Sequence, residues 1–436
     1  MGIILRNTPQ NFLSNDKLSL LLWVIAQNKK AIAFDDSERG TYKNTYFPDY
    51  VMETIPHEPW CLPPIRIAES IKEEVTQMLR NQVDNGNLEV STASYHSRIF
   101  TVQKPRGKGL HIVHDLQPLN AVSVQDAMLP PNVQEFAEAF MGYAIYGTMD
   151  LYSGYHQRVI HPDSRPLTAC QTLIGNVQLT TLPMGYMNSM QEFQRSTCHI
   201  VEGMTKEKAD AFVDDVRLKG PKTHYNNQPI PENPNIRCFV WEYAHTLYKC
   251  LALLLTAGAT ASGKKLVLAM LRVTIVGYEC DLDGMRPCHG IVTKVQNWPV
   301  PENTTQVREF LGTVGVARNW IKNFACIAKP LTELTKNKPG DFEWPPEAQE
   351  AMDILKRRVS EITALKKLDI EMEKKASLTY EAGKLNEGCL VLAVDSSVIA
   401  IGFVLYQVFR SNDTELNPNT NSLKPSHRPG LVKFPI

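Results

Sequence analysis

The 436-residue sequence predicts an α+β protein rather than a doubly wound sheet. Two observations carry that prediction. Between residues 140 and 280 short β-branched or apolar runs alternate irregularly with longer stretches of helical periodicity. With 43% apolar and 21% charged residues, the chain is also able to bury a sizeable core, in two or three domains.

The elements follow in order. Residues 18–29 read as a helix and the proline-rich stretch 50–65 as irregular, so residues 1–65 are expected to form an N-terminal leader. Ile67, Ile71, Val75 and Leu79 recur at helical spacing until Asp84-Asn85-Gly86-Asn87 stops the helix. Apolar runs at 98–104 and 110–115 flank Pro105-Arg106-Gly107-Lys108-Gly109, the composition of a hairpin with a basic tip. Strands are expected at 144–149, 177–182, 211–213 and 273–276, with helices at 189–201 and 238–257. Asn303 opens a capping pattern ahead of Val307, Phe310, Leu311 and Val314, and another helix is expected over 346–359. The run 389–405 reads as strand, turn and strand around Asp395-Ser396-Ser397, and the Asn-, Ser- and Pro-rich tail as disordered.

Lysine plus arginine equal aspartate plus glutamate at 46 each, so no long-range field recruits a polyanion, and nucleic-acid contacts must rest on local basic patches. The nine cysteines are scattered without a C-x-x-C pair or zinc spacing and read as thiols of a reducing, intracellular compartment, cytoplasmic or nuclear. No apolar run is long enough to span a bilayer, and no signal peptide is seen.

Chemistry enters at Ala211-Phe-Val-Asp-Asp-Val-Arg-Leu218, which sets Asp214 and Asp215 in a strand-forming octet. Adjacent acids belong at a tight turn or at a metal. Alone the pair is weak, since Asp35-Asp36 is another and reads as a solvated loop. Upstream, the apolar strand Ala144-Ile-Tyr-Gly-Thr-Met149 ends at Asp150. Two acid-tipped strands side by side would hold divalent cations on rigid elements, as two-metal phosphoryl transfer requires, and hard oxygen ligands suit magnesium.

Asp150-Leu-Tyr-Ser-Gly-Tyr-His-Gln157, Leu182-Pro-Met-Gly-Tyr-Met-Asn-Ser189 with Phe193-Gln194, and Phe212-Val-Asp-Asp215 together resemble, in order and spacing, the palm motifs of gypsy-type LTR retrotransposon reverse transcriptases. The resemblance continues through Val113-His-Asp-Leu-Gln-Pro-Leu-Asn120, Asn297-Trp-Pro299 and Phe310-Leu-Gly312. It implies a right-hand polymerase, with fingers and palm over 66–285, thumb or connection over 286–375, and a partial RNase H-like α/β segment with the tail over 376–436.

What the resemblance further implies is an RNA-directed DNA polymerase taking an RNA or DNA template with primer and deoxynucleoside triphosphates. Its cofactor would be two Mg²⁺ ions, with Mn²⁺ as an alternative. Asp150, Asp214 and Asp215 take the place of the metal-binding triad, with the backbone oxygen of Leu151 as a further ligand. Tyr155 stands where an aromatic would collide with a ribose 2′-hydroxyl, and Lys104 where a lysine contacts phosphate. Lys265 is placed to donate a proton to pyrophosphate, and Gly185 to let template or substrate backbone come close. Gly277 matches the glycine of the primer-gripping hairpin, and Asp395 the first ligand of the RNase H-like domain, whose activity is not expected here.

Departures are His111 in place of a triphosphate-gripping arginine, Met184, Met190, and Cys170 in place of an aromatic. They motivate a rival expectation, a catalytically inactive relic that keeps the fold and at most binds nucleic acid. A magnesium-dependent nuclease using the same acids is a third. Neither a membrane partner nor an oligomeric state is indicated.

Overall fold

The computed structural model describes residues 2, 8, 13–104, 109–336, 342–363, 390–396, 401–408 and 431–435. They fall into two compact units, Met1–Asn132 with Ala144–Met270, and Val133–Tyr143 with Leu271–Ile436. Among the described residues no helix is long and apolar enough to cross a membrane.

The helices of the first unit are α1 (Asn15–Gln27), α2 (Lys72–Asp84), α3 (Gln117–Val122), α4 (Ser189–Val201) and α5 (Cys238–Ala257). Its strands begin with β1 (Ile32–Ala33), β2 (Leu88–Val90), β3 (Ile99–Gln103), β4 (Leu110–His114), β5 (Tyr146–Asp150), β6 (Cys170–Thr172) and β7 (Gly175–Leu179). They continue with β8 (Ala209–Phe212), β9 (Asp215–Lys219), β10 (Pro229–Ile230), β11 (Asn233–Arg237), β12 (Ala261–Ser262) and β13 (Val267–Met270).

An antiparallel sheet in the order β13-β5-β9-β8 forms the centre. Strand side chains alternate between faces, and Met149, Ala211, Val216 and Leu218 are fully buried on the face that α4 and α5 cover. Thr148, Asp150, Asp215 and Arg217 occupy alternate positions and so share the opposite face. The expected hairpin is β3–β4, paired from Ile99↔His114 to Gln103↔Leu110. Its base is fixed by Arg98, whose Nε and Nη2 both donate to Asp115 Oδ2 at 3.0 and 2.7 Å. The basic tip at Arg106 and Lys108 lies outside the described residues.

The stretch read as a leader contributes to this unit's core. Leu21, Val24 and Ile25 of α1 are buried, and β1 pairs in parallel with β12 through Ile32↔Ala261. Buried Arg158 anchors the chain just ahead of the proline-rich stretch by donating to Pro48 O at 2.6 Å while its Nε meets Glu192 Oε1 at 2.8 Å. Proline content describes the backbone of such a segment but not the partners it finds.

After the short helix Val133–Glu138, the second unit continues with a three-stranded meander of β14 (Arg272–Ile275), β15 (Tyr278–Asp281) and β16 (Gly284–Pro287). Val276 and Gly277 form the two-residue loop between β14 and β15 with φ of 42° and 93°, which explains the glycine. Helices α6 (His289–Gln296), α7 (Thr304–Gly315), α8 (Phe324–Leu334) and α9 (Pro346–Ser360) follow, around buried Val307, Phe310, Leu331, Met352 and Leu355. Asn303 caps α7 by accepting from Gln306 N at 3.0 Å, as the sequence suggests. Trp298 packs edge-on against Phe310 at 5.7 Å, so two of the quoted motifs are one packing contact.

Strands β17 (Leu390–Ser396), β18 (Ile401–Val408) and β19 (Leu431–Pro435) form an antiparallel sheet. The third strand lies in the tail read as disordered. Leu431-Val-Lys-Phe434 is a short strand-forming run inside a polar composition, and a composition average hides it.

Candidate active site

Strands β8 and β9 are joined by the two-residue turn Val213-Asp214, because Phe212 pairs with Asp215. The register of β5 against β9 sets Asp150 directly opposite Asp215, and Leu151 N donates to Asp214 O at 2.9 Å. Burial, a hydrogen bond with Asp150 and the charges of Asp150 and Asp214 push the Asp215 carboxyl up to about 6, against the opposing pull of Arg217. For Asp150 the upward push of burial is outweighed by its hydrogen bonds with Asp215 and Lys265 and by the Lys265 and Arg217 charges, which hold it below the usual carboxylate range. Two like charges this close oppose each other's ionisation, and that penalty falls on Asp215.

Lys265 Nζ lies 2.7 Å from Asp150 Oδ2, and that hydrogen bond raises the lysine's pKa. Asp214 is exposed at the turn. Among the described residues no three carboxylate, imidazole or thiol side chains are gathered as a ready-made cation site.

The turn is held in a strained form. Val213 has φ of 56°, a left-handed conformation that a β-branched residue adopts only under constraint. Buried Gln194 supplies the constraint, accepting from Val213 N at 2.5 Å and donating to Ala211 O at 3.0 Å. A second buried glutamine, Gln157, donates to Tyr152 O at 2.7 Å and Thr260 O at 2.9 Å and accepts from Thr260 N at 2.8 Å. It ties the loop after Asp150 to the chain leading to Lys265.

Glycine is required at Gly154, where a Cβ would lie 2.4 Å from the Phe193 ring, so two sequence motifs meet in one contact. Tyr155 packs on the same ring at 4.9 Å; burial and the nearby Asp214 charge raise its hydroxyl pKa. Gly185 has φ of 91° with open space around it, and its carbonyl accepts from Asn120 Nδ2 at 2.9 Å. Lys104 is exposed at the end of the β3–β4 hairpin, its N–H bonded to Gly109 O at 2.9 Å. Asp150 thus meets both Asp215 and Lys265, the Leu151 backbone is bonded to that of Asp214, and Tyr155 feels the Asp214 charge.

Sequence reasoning assigned no role to Gln157, Gln194 or Arg217. The two glutamines end recognised motifs, but only the fold shows which backbone groups they satisfy. Arg217 had a usable signal, a charge two residues beyond Asp215 and therefore on the same strand face.

Beside this site, His114 Nδ1 lies 3.6 Å from buried Cys170 Sγ, and His156 Nδ1 lies 3.1 Å from Thr181 Oγ1. Burial depresses both imidazoles to about 4, helped by His156 and His111 for the first and by Arg39 for the second, while Asp36 opposes the shift of His156. A base whose folded pKa is lowered binds more protons unfolded, so its contribution is complete above about pH 6.5 and is lost as pH falls towards 4. Allowing for partial exposure, the pair is expected to cost roughly 3 kcal/mol of stability across that window. Urea unfolding at the two pH values measures it, and a His114→Gln, His156→Gln chain should lose most of the difference.

The sheet with its acidic hairpin has a right-hand polymerase fold. The chain superposes on the foamy viral protease-reverse transcriptase in complex with double-stranded DNA with a TM-score of 0.76 at 20% identity, covering 93% of this chain and 64% of that one. On the same viral protein with an RNA/DNA hybrid the TM-score is 0.72, covering 93% and 49%.

By sequence the chain is similar to retrovirus-related Pol polyproteins. From transposon 297 of Drosophila melanogaster it is 24% identical over 390 residues, 88% of this chain and 34% of that polyprotein. From transposon gypsy of the same organism it is 25% identical over 279 residues, 63% and 25% respectively. The enzymatic polyprotein of cauliflower mosaic virus is 26% identical over 380 residues, 83% and 53%. The chain therefore spans between a quarter and about half of these relatives. No family model matches it. The similarity is consistent with Pol of a gypsy-type LTR retrotransposon.

Proposed function

We propose that this chain is an RNA-directed DNA polymerase of an LTR retrotransposon, extending a primer 3′-hydroxyl with deoxynucleotides on an RNA or DNA template. The observation that carries the reading is Asp150 facing Asp215 across neighbouring strands with Asp214 at the adjoining turn. Oxygen donors that repel one another suit a hard divalent cation, and Asp150, Asp214, Asp215 and the Leu151 carbonyl would hold it. Bound there, Mg²⁺ would supply the Lewis acidity that phosphoryl transfer needs.

The chain's own groups do the rest. Lys265, held by Asp150, carries a proton for the departing pyrophosphate oxygen. Tyr155 on its Phe193 platform blocks a ribose 2′-hydroxyl, and Lys104 neutralises phosphate at the finger hairpin. The deciding experiment is Mg²⁺-dependent extension of oligo(dT) on poly(rA) with dTTP; a folded chain that extends nothing at any nucleotide concentration overturns the proposal.

Exposed His111 favours the rival reading of a relic, because an imidazole lacks the permanent charge and the bidentate fork of arginine. In an active chain the same residue should only weaken nucleotide binding. His111→Arg is then expected to lower KM for dTTP on the order of tenfold with little change in kcat. Steady-state extension kinetics check this, and an unchanged KM removes His111 from the triphosphate site.

A further inference from the structure

We propose that Arg217 is a built-in counter-ion of the acidic pair that sets how tightly this chain binds its divalent cation. The inference rests on the polymerase reading of the site and goes beyond it, since no part of that reading uses Arg217.

Arg217 Nη2 lies 2.6 Å from Asp215 Oδ2, while Lys265 Nζ lies 2.7 Å from Asp150 Oδ2. Each member of the facing carboxylate pair is thus held by a cation of the chain itself. The two cations differ in how easily they leave. The Lys265 side chain is 65% exposed on a flexible stem, and that of Arg217 only 15% exposed. Arg217 is also fixed mid-strand, its Cα paired with Thr148 on one side and Asp210 on the other.

An entering divalent ion must therefore take Asp215 from Arg217 and remain beside that positive charge. Residues of the open face explain the arrangement. Val216 and Leu218 point into the core, so the position between them necessarily faces the acids. An apolar side chain there would leave Asp215 free for the metal; arginine does not.

The test is Mn²⁺ binding to the full chain without nucleotide or nucleic acid, by calorimetry and electron paramagnetic resonance at about pH 8.5, where carboxylates ionise. Arg217→Leu and Arg217→Gln are each expected to bind Mn²⁺ about tenfold more tightly, the effect of removing one nearby charge at partial screening. Arg217→Lys keeps the charge and should stay within about twofold of the unaltered chain. Leu and Gln variants that bind no more tightly overturn the inference. Asp215→Asn separates it from the underlying reading: if that change leaves Mn²⁺ affinity intact, the ion is not at these acids and both fail.

A second measurement needs no variant fold. Mg²⁺ added to the isotope-labelled unaltered chain should shift the Arg217 guanidinium ¹⁵N resonance as Asp215 is released. A resonance that stays put while metal binds overturns the inference.

Discussion

Primer extension is expected to fall by at least about a thousandfold when Asp214 and Asp215 are both replaced by asparagine, because two of three anionic oxygen donors are lost while the shape is kept. The fold should survive. Asp214 is exposed at the turn, and an asparagine amide at 215 can donate to the facing Asp150 while its oxygen still accepts from Arg217. Removing a repelling charge from a partly buried pair also relieves strain. Thermal unfolding of the double variant within a few degrees of the unaltered chain, together with lost extension, would assign the loss to chemistry. A double variant that retains a tenth of the rate would mean that the phosphoryl-transfer site lies elsewhere.

The acids were legible because their signal is local. Asp150 ends an apolar run and Asp214-Asp215 interrupts another, which marks them as candidates, and the order and spacing of the three motifs around them single them out. What places them together is not local, since the β5–β9 register spans a long insertion containing β6, β7, α4 and β8. Helices α4 and α5 were legible to their ends because long periodic segments carry their own boundaries.

The N-terminal segment was not legible, because its role is assigned by its partners. Gly263 N donates to Ala33 O at 2.9 Å, and Gly40 N to Thr260 Oγ1 at 2.9 Å, so residues far upstream buttress the loop that delivers Lys265. A sequence does not show that the partner of Ile32 and Ala33 lies beyond residue 260. The polar interior follows the same rule. Gln157 and Gln194 fill no apolar pattern, and their value lies in backbone groups that would otherwise be buried without partners.

Gly147→Ala is expected to be the most damaging small change in the central sheet, costing about 3–5 kcal/mol. Gly147 sits in β5 three residues before Asp150, and a Cβ there would lie 2.0 Å from the Tyr243 hydroxyl oxygen. The fully buried Tyr243 ring cannot swing into solvent. If it is displaced, Ala269 N loses the hydroxyl that accepts its hydrogen bond at 3.3 Å. Ala269 is itself in a left-handed conformation, φ 50°, at the irregular register between β13 and β5. One methyl group therefore strains the strand that ends in Asp150 and the strand that follows Lys265. Chemical denaturation should show the lost stability. A Gly147→Ala, Tyr243→Phe chain should recover part of it, because removing the hydroxyl opens the space the methyl needs. If Gly147→Ala unfolds like the unaltered chain, or the second change restores nothing, then Tyr243 does not dictate glycine at this position.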